Sequence, residues 1–217
     1  MKMSDASIDN LIDDLAAELT PVRPRRLVRG SLWVAAGWLA AAAGLIWLFG
    51  MRSDLATHGM PPLSMLAFWL TAATGIAATW SALRMGLPGV GRDYGGWRWA
   101  VGASLSLPLA ALFACIADGH AAMEAVREGF DLRCLLQGLA AGLGVAAALF
   151  FWLKAGAPTS PTRAGWVVGI APGAAGATIV ALHCSSDEVV HIALWHGSAV
   201  LLSAIAGRLL LPRFLRW

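Results

Sequence analysis

Six apolar stretches, most of them close to twenty residues long, alternate with short polar gaps from residue 31 onward. About 20 helical residues cross a hydrocarbon core of roughly 30 Å, so stretches of this length predict membrane-spanning helices. They run Ser31–Gly50, Leu63–Leu83, Trp99–Ala117, Leu135–Leu153, Trp166–Leu182 and Val190–Leu211. The fifth is short and holds Pro172 with several glycines. The fold expected is an all-α membrane protein, a bundle of six transmembrane helices.

Ahead of the bundle the pattern changes. Ile8, Leu11, Ile12, Leu15 and Leu19 recur at helical spacing and predict one apolar stripe over Ser7–Leu19. Asp9, Asp13, Asp14 and Glu18 fall on the other side, and Ser7 is placed to cap the start. Thr20-Pro21 ends the helix, and Pro24 with Arg23, Arg25 and Arg26 makes a stiff basic tether. Two parts follow: residues 1–29 as a partner-binding segment with its tether, and 30–217 as the transmembrane domain. A helix lying on the negative cytoplasmic leaflet carries Lys and Arg on its polar face, whereas this one carries acids. A cytoplasmic protein with an apolar groove and a basic rim is the better-matched partner.

Charge orients the bundle. Lys2, Arg23, Arg25, Arg26 and Arg29 precede the first stretch, Arg84, Arg92 and Arg98 fill the second gap, and Lys154 and Arg163 the fourth. Arg208, Arg213 and Arg216 follow the last stretch. The other gaps hold only Arg52, Arg127 and Arg133, together with Asp54, Asp118, Glu124, Glu128, Asp131, Asp187 and Glu188. Basic loops stay cytoplasmic, so both termini are expected inside a bacterial inner membrane. The first apolar run follows a long acidic segment, so no cleavable signal peptide is expected. Only 13% of residues are charged, 58% are apolar and the mean hydropathy is +0.67, far from a soluble domain. The net charge of +3 is accounted for by the flanks of the spans, which leaves no case for direct nucleic-acid binding.

Gly138, Gly142 and Gly144, then Gly169, Gly173 and Gly176, allow close backbone approach between helices. Trp33, Trp47, Trp97, Trp99, Trp152 and Trp166 stand near span ends, where an indole prefers the headgroup level, while Trp38, Trp69 and Trp80 are placed to pack between helices.

The topology sets Cys134 at the start of span four and Cys184 at the end of span five, at equal depth on the periplasmic side. Thiols there are open to oxidation and to soft metals. Arg133 is placed to raise the thiolate fraction of Cys134. Cys115 reads as a small buried packing residue, and His120 falls in the other outer loop. His183, His191 and His196 gather near Cys184 as accessory or metal-binding candidates, but no CxxC or helical zinc spacing occurs beyond the loose pair His191 and His196, five apart. No phosphate loop, catalytic triad or paired-carboxylate site is present, so no catalytic chemistry and no resident cofactor is expected.

Taken together, DNLIDDLAAEL (residues 9–19), the PVRPRR tether, Arg133-Cys134-Leu135, Leu182-His183-Cys184 leading to Trp195-His196, and the ending from Pro212 to Trp217 resemble the NrsF family. The resemblance covers essentially the whole chain. It implies a six-span inner-membrane anti-sigma factor whose N-terminal segment holds an ECF-type sigma factor away from RNA polymerase. It also implies that Cys134 and Cys184 are the sensing pair, with oxidants or a transient heavy-metal ion at the thiolates releasing the sigma factor. Ser185 stands where the family usually has proline after the second motif cysteine. Two other classes fit less well. A small ion or metal transporter places ionisable groups at mid-membrane, where these spans have almost none. A periplasmic thiol-disulfide oxidoreductase needs a CxxC-like motif or a quinone pocket.

Overall fold

The computed structural model of the protein describes residues 5–18, 25–88, 96–117, 119, 123, 132–156 and 158–215, and every regular element among them is helical. Helix α1 covers Asp5–Ala17. It begins two residues earlier than the spacing predicts, so Ser7 falls within its first turn rather than ahead of it. Asp5 is favoured at the positive end of a helix. Leu19 and the tether residues Arg23 and Pro24 lie outside the described residues. Ile8, Leu11, Ile12 and Leu15 are between 41% and 56% exposed, so the apolar stripe has no cover.

The bundle follows: α2 (Leu27–Phe49), a one-turn α3 (Asp54–Thr57), α4 (Pro62–Met85), α5 (Gly96–Ser104), α6 (Ser106–Ala117), α7 (Leu132–Lys154), α8 (Pro161–Ala181) and α9 (Val189–Phe214). Five of these, α2, α4, α7, α8 and α9, are long and apolar enough to cross a membrane. The third predicted span is broken at Leu105 into α5 and α6. Pro108 has no N–H to give to the Ser104 carbonyl. The hydroxyls of Ser104 and Ser106 donate to the carbonyls of Val101 and Ala103 at 2.7 and 2.6 Å, which competes with the helical ladder at the break. Gly96 at the start of α5 lies against Ser81 near the end of α4, and α6 packs on the first turns of α9. The broken pair therefore runs from one end of the bundle to the other.

The short, glycine-rich fifth stretch forms the central helix. Within α8 the most apolar window is 94% buried, against 11% for α2. It packs on α9, α7 and α4, and glycines make those crossings. A Cβ on Gly176 would stand 1.8 Å from the Gly138 carbonyl oxygen, and one on Gly142 would stand 2.4 Å from that of Pro172. On the other side, Gly165, Gly169 and Gly173 meet Gly207, Ser203 and Val200. No larger residue fits such contacts, which is how helices associate where lipid offers no hydrophobic drive.

The tryptophans divide differently from expectation. Trp47 and Trp99 are each 83% exposed and Trp33 44%, consistent with a lipid-facing rim. Trp69 and Trp80, expected between helices, point outward at 62% and 47%, and only Trp38 of that group packs inward, against Gly75. Trp152, expected at the headgroups, is buried. Its Nε1 donates to the Leu83 carbonyl at 2.9 Å, and Arg25 covers its ring at 4.1 Å while donating to its carbonyl at 2.5 Å. Those bonds fix the arginine end of the bundle, where α2 begins and α4 and α7 finish.

Candidate functional site

At the opposite end, α2 and α8 finish and α4, α7 and α9 begin. Cys134 lies in the first turn of α7, and Cys184 follows the end of α8, its N–H donating to the Val180 carbonyl at 2.8 Å. The antiparallel crossing of α7 and α8 at Gly138 and Gly176 sets both sulfurs at one depth. They are 3.7 Å apart, unbonded and buried, with the Cys134 thiol donating to Cys184.

Two histidines complete the group. Cys184 Sγ is 3.4 Å from His191 Nε2, and the His191 and His196 rings stand 6.0 Å apart. Residues five apart on a regular α-helix point about 140° away from each other. Here Ile192–His196 form a π-turn, in which the Gly197 N–H reaches back to the Ile192 carbonyl. The wider turn brings both imidazoles to the same side, and such turns favour functional sites. One ligand atom from each of Cys134, Cys184, His191 and His196 lies within 4.8 Å of the other three, and all four residues are buried. Leu45, Leu135, Ile179, Val180 and Trp195 surround them. The hydrogen bond from Cys134, helped by His191 and His196, holds the Cys184 thiol well below its ordinary pKa despite burial. Cys184 thus has thiolate character, the form that attacks oxidants and binds metals.

His183, grouped with these candidates by sequence, is not part of the cluster. Its Nδ1 is 3.0 Å from the Gly50 carbonyl and its ring packs on Phe49 at 5.6 Å. It joins the Cys184 loop to the end of α2, as does the Arg52 N–H, which donates to the Leu182 carbonyl at 3.0 Å. His120 and the side chain of Cys115 lie outside the described residues.

Arg52, the basic exception in an acidic gap, proves to be a clamp. Its side chain is 2% exposed, pairs with Asp54 at 2.6 Å and with Asp187 at 2.8 Å, and Ser64 donates to the same Asp187. The guanidinium holds the Asp54 carboxyl below its usual range through that hydrogen bond. The misplaced charge in the sequence was the available signal, because a buried arginine needs partners.

The profile of the family described as "Negative regulator of sigma F", NrsF, matches residues 15–217. This chain belongs to the NrsF family. The NrsF match takes in the whole bundle and begins near the end of α1. "Anti-sigma-F factor NrsF" of Caulobacter vibrioides (strain NA1000 / CB15N) is 30% identical over 218 residues, covering 96% of this chain and 99% of the relative. "Probable anti-sigma-F factor NrsF" of Azospira oryzae (strain ATCC BAA-33 / DSM 13638 / PS) is 28% identical with the same coverage. No solved structure matches the chain.

Proposed function

We propose that the protein is an inner-membrane anti-sigma factor whose α1 holds an ECF-type sigma factor in the cytoplasm, and that chemistry at Cys134 and Cys184 on the periplasmic face releases it. The observation that carries this reading is the meeting of those two thiols at the end of the bundle opposite Arg25, in a member of a family of negative regulators. Sensing chemistry and basic tether are then on opposite membrane faces. The α5–α6 pair counts as the sixth crossing, which keeps both termini inside, as the sorting of arginines demands.

Two inputs converge on the pair. Hydrogen peroxide takes two electrons and two protons from the thiols, which join in one S–S bond, and leaves as two waters. A thiophilic heavy-metal ion binds both sulfurs instead. Either changes the 3.7 Å separation and so the packing of α7 against the Cys184 loop. The loop grips α2 through His183 and Leu182, and α2 leads to Arg25 and the tether. Helix α2 is the least buried of the long helices and so the freest to shift.

Replacing both cysteines by serine tests the reading with a sigma-dependent reporter. Cys134→Ser with Cys184→Ser is expected to keep repression and lose induction by peroxide or cadmium. A double variant that still induces normally would move sensing elsewhere.

A further inference from the structure

We infer that Cys134, Cys184, His191 and His196 form a four-coordinate site for a divalent d10 cation, Zn²⁺ in the resting protein. The inference rests on the proposed release mechanism only for the ion's regulatory meaning, and the binding itself stands on geometry. Around tetrahedral zinc, bond lengths of about 2.3 Å to sulfur and 2.0–2.1 Å to nitrogen put two sulfurs about 3.8 Å apart and a sulfur and a nitrogen about 3.6 Å apart. The protein has 3.7 Å between the sulfurs and 3.4 Å between Cys184 Sγ and His191 Nε2, with every ligand pair inside 4.8 Å.

A redox pair alone leaves the buried Nε2 of His196 unexplained. His196 is 4% exposed and its Nε2 is buried with no hydrogen-bond partner. Buried polar atoms are nearly always partnered, and an orphan in a group of metal-ligating side chains points to an ion. The π-turn points the same way, since it is what brings the two imidazoles together. Charge also balances: two thiolates and one divalent cation sum to zero, which suits an apolar surround of Leu45, Leu135 and Ile179. Thiolate with imidazole selects zinc over magnesium or calcium, which require oxygen ligands. A small cavity lined by Arg52, Ser64, Thr71, Cys184 and His196, about 10 Å³ and room for roughly one water, adjoins the cluster. The ion would bind the start of α7, the Cys184 loop and the first turns of α9 into one unit. Thiophilic heavy metals and oxidants would then act by displacing it.

The test uses the full chain in detergent micelles, reduced with a phosphine, stripped by chelator and titrated with Zn²⁺ against a competing chelator. Co²⁺ absorption reports the geometry. The wild type is expected to take up one equivalent, with a thiolate-to-cobalt charge-transfer band and the intense visible bands of a tetrahedral site. His191→Gln and His196→Gln should each weaken binding more than about 100-fold, beyond what loss of an outer hydrogen bond costs. His183→Gln should bind as the wild type does. Failure of the wild type to bind one equivalent, or a His196→Gln variant with unchanged affinity and spectrum, overturns the site. If His196→Gln loses helicity, His196→Cys replaces it and should bind with a stronger charge-transfer band, while an unchanged band overturns the site. Zinc binding in a protein whose induction survives loss of both cysteines sinks the release mechanism and leaves the site. Cysteine-dependent induction without zinc binding does the reverse.

Discussion

Leu11→Asp and Leu15→Asp bear most directly on how the sigma factor is held. Both side chains are about half exposed, at 49% and 56%, so roughly half of each remains to be buried by a partner. Full burial of a leucine contributes about 1.5–3 kcal/mol, which leaves about 0.8–1.5 kcal/mol for docking. Leu11→Ala should therefore weaken binding about 4- to 13-fold. Aspartate also forces a carboxylate into an apolar groove, and a further 1.4 kcal/mol or more brings the expected loss above about 40-fold. Folding should be untouched, because the stripe is uncovered and helix propensity changes by only a few tenths of a kcal/mol. The assay is a titration of the cognate sigma factor against the full chain in nanodiscs, with membrane insertion checked in parallel. Wild-type affinity in Leu11→Asp and Leu15→Asp would refute the role given to α1.

Gly176→Ala places a methyl group 1.8 Å from a backbone oxygen and should cost about 1–3 kcal/mol or more, whereas Gly44→Ala, with nothing within 4 Å, should be neutral or stabilising. A lowered thermal midpoint in detergent is expected for Gly176→Ala and not for Gly44→Ala, and equal shifts would contradict the α7–α8 crossing. Gly50, at φ 80° and ψ 173°, occupies a region essentially confined to glycine, so Gly50→Ala should cost about 1–3 kcal/mol and loosen the His183 contact. Sigma release at lower oxidant dose checks this. Because Arg52 lowers the Asp54 pKa, the stabilisation from that pair is complete above the ordinary value of 3.8 and is lost as pH falls through the lowered one. The midpoint difference between wild type and Asp54→Asn should stay constant down to about pH 4 and shrink below it.

Much of the fold is legible because hydrophobic length and helical period are local properties. Boundaries of five spans fall within a few residues of Ser31–Gly50, Leu63–Leu83, Leu135–Leu153, Trp166–Leu182 and Val190–Leu211, and the amphipathic stripe of α1 follows from spacing alone. The break between α5 and α6 was marked by Pro108, but apolar length masked it. Trp166–Leu182 is short and holds glycine and proline, which lower helix propensity, yet those residues permit the backbone contacts that make α8 central. At the site, equal depth brought Cys134 and Cys184 together. The joining of His191 to His196 was hidden, because an α-helix separates residues five apart and nothing local announces a π-turn. Adjacency to Cys184 misplaced His183, whose ring turns to Gly50.

Those two outcomes bear on how far a signal at the thiols can travel. On the cysteine side, α2 is held by the His183–Gly50 contact and the Arg52–Leu182 hydrogen bond, each contributing about 0.5–1.5 kcal/mol. Losing both yields about 1–3 kcal/mol, a 5- to 150-fold change in an equilibrium. Moving a population from 1:99 to 99:1 takes about 5.5 kcal/mol, so these bonds alone cannot throw the switch. The remainder must come from packing, and the contact that offers it is the crossing of α2 on α7, where a Cβ on Gly37 would stand 3.1 Å from the Gly144 backbone. Helix α7 carries Cys134 at one end of that crossing and Trp152, beneath Arg25, at the other. A change in how α7 sits therefore reaches α2 along its length and the tether at its end, whereas a change confined to the Cys184 loop reaches only the tip of α2. Gly37→Ala, which presses this crossing without touching either cysteine, should accordingly shift the oxidant dose for release more than His183→Gln does. The reverse order would place the coupling in the loop.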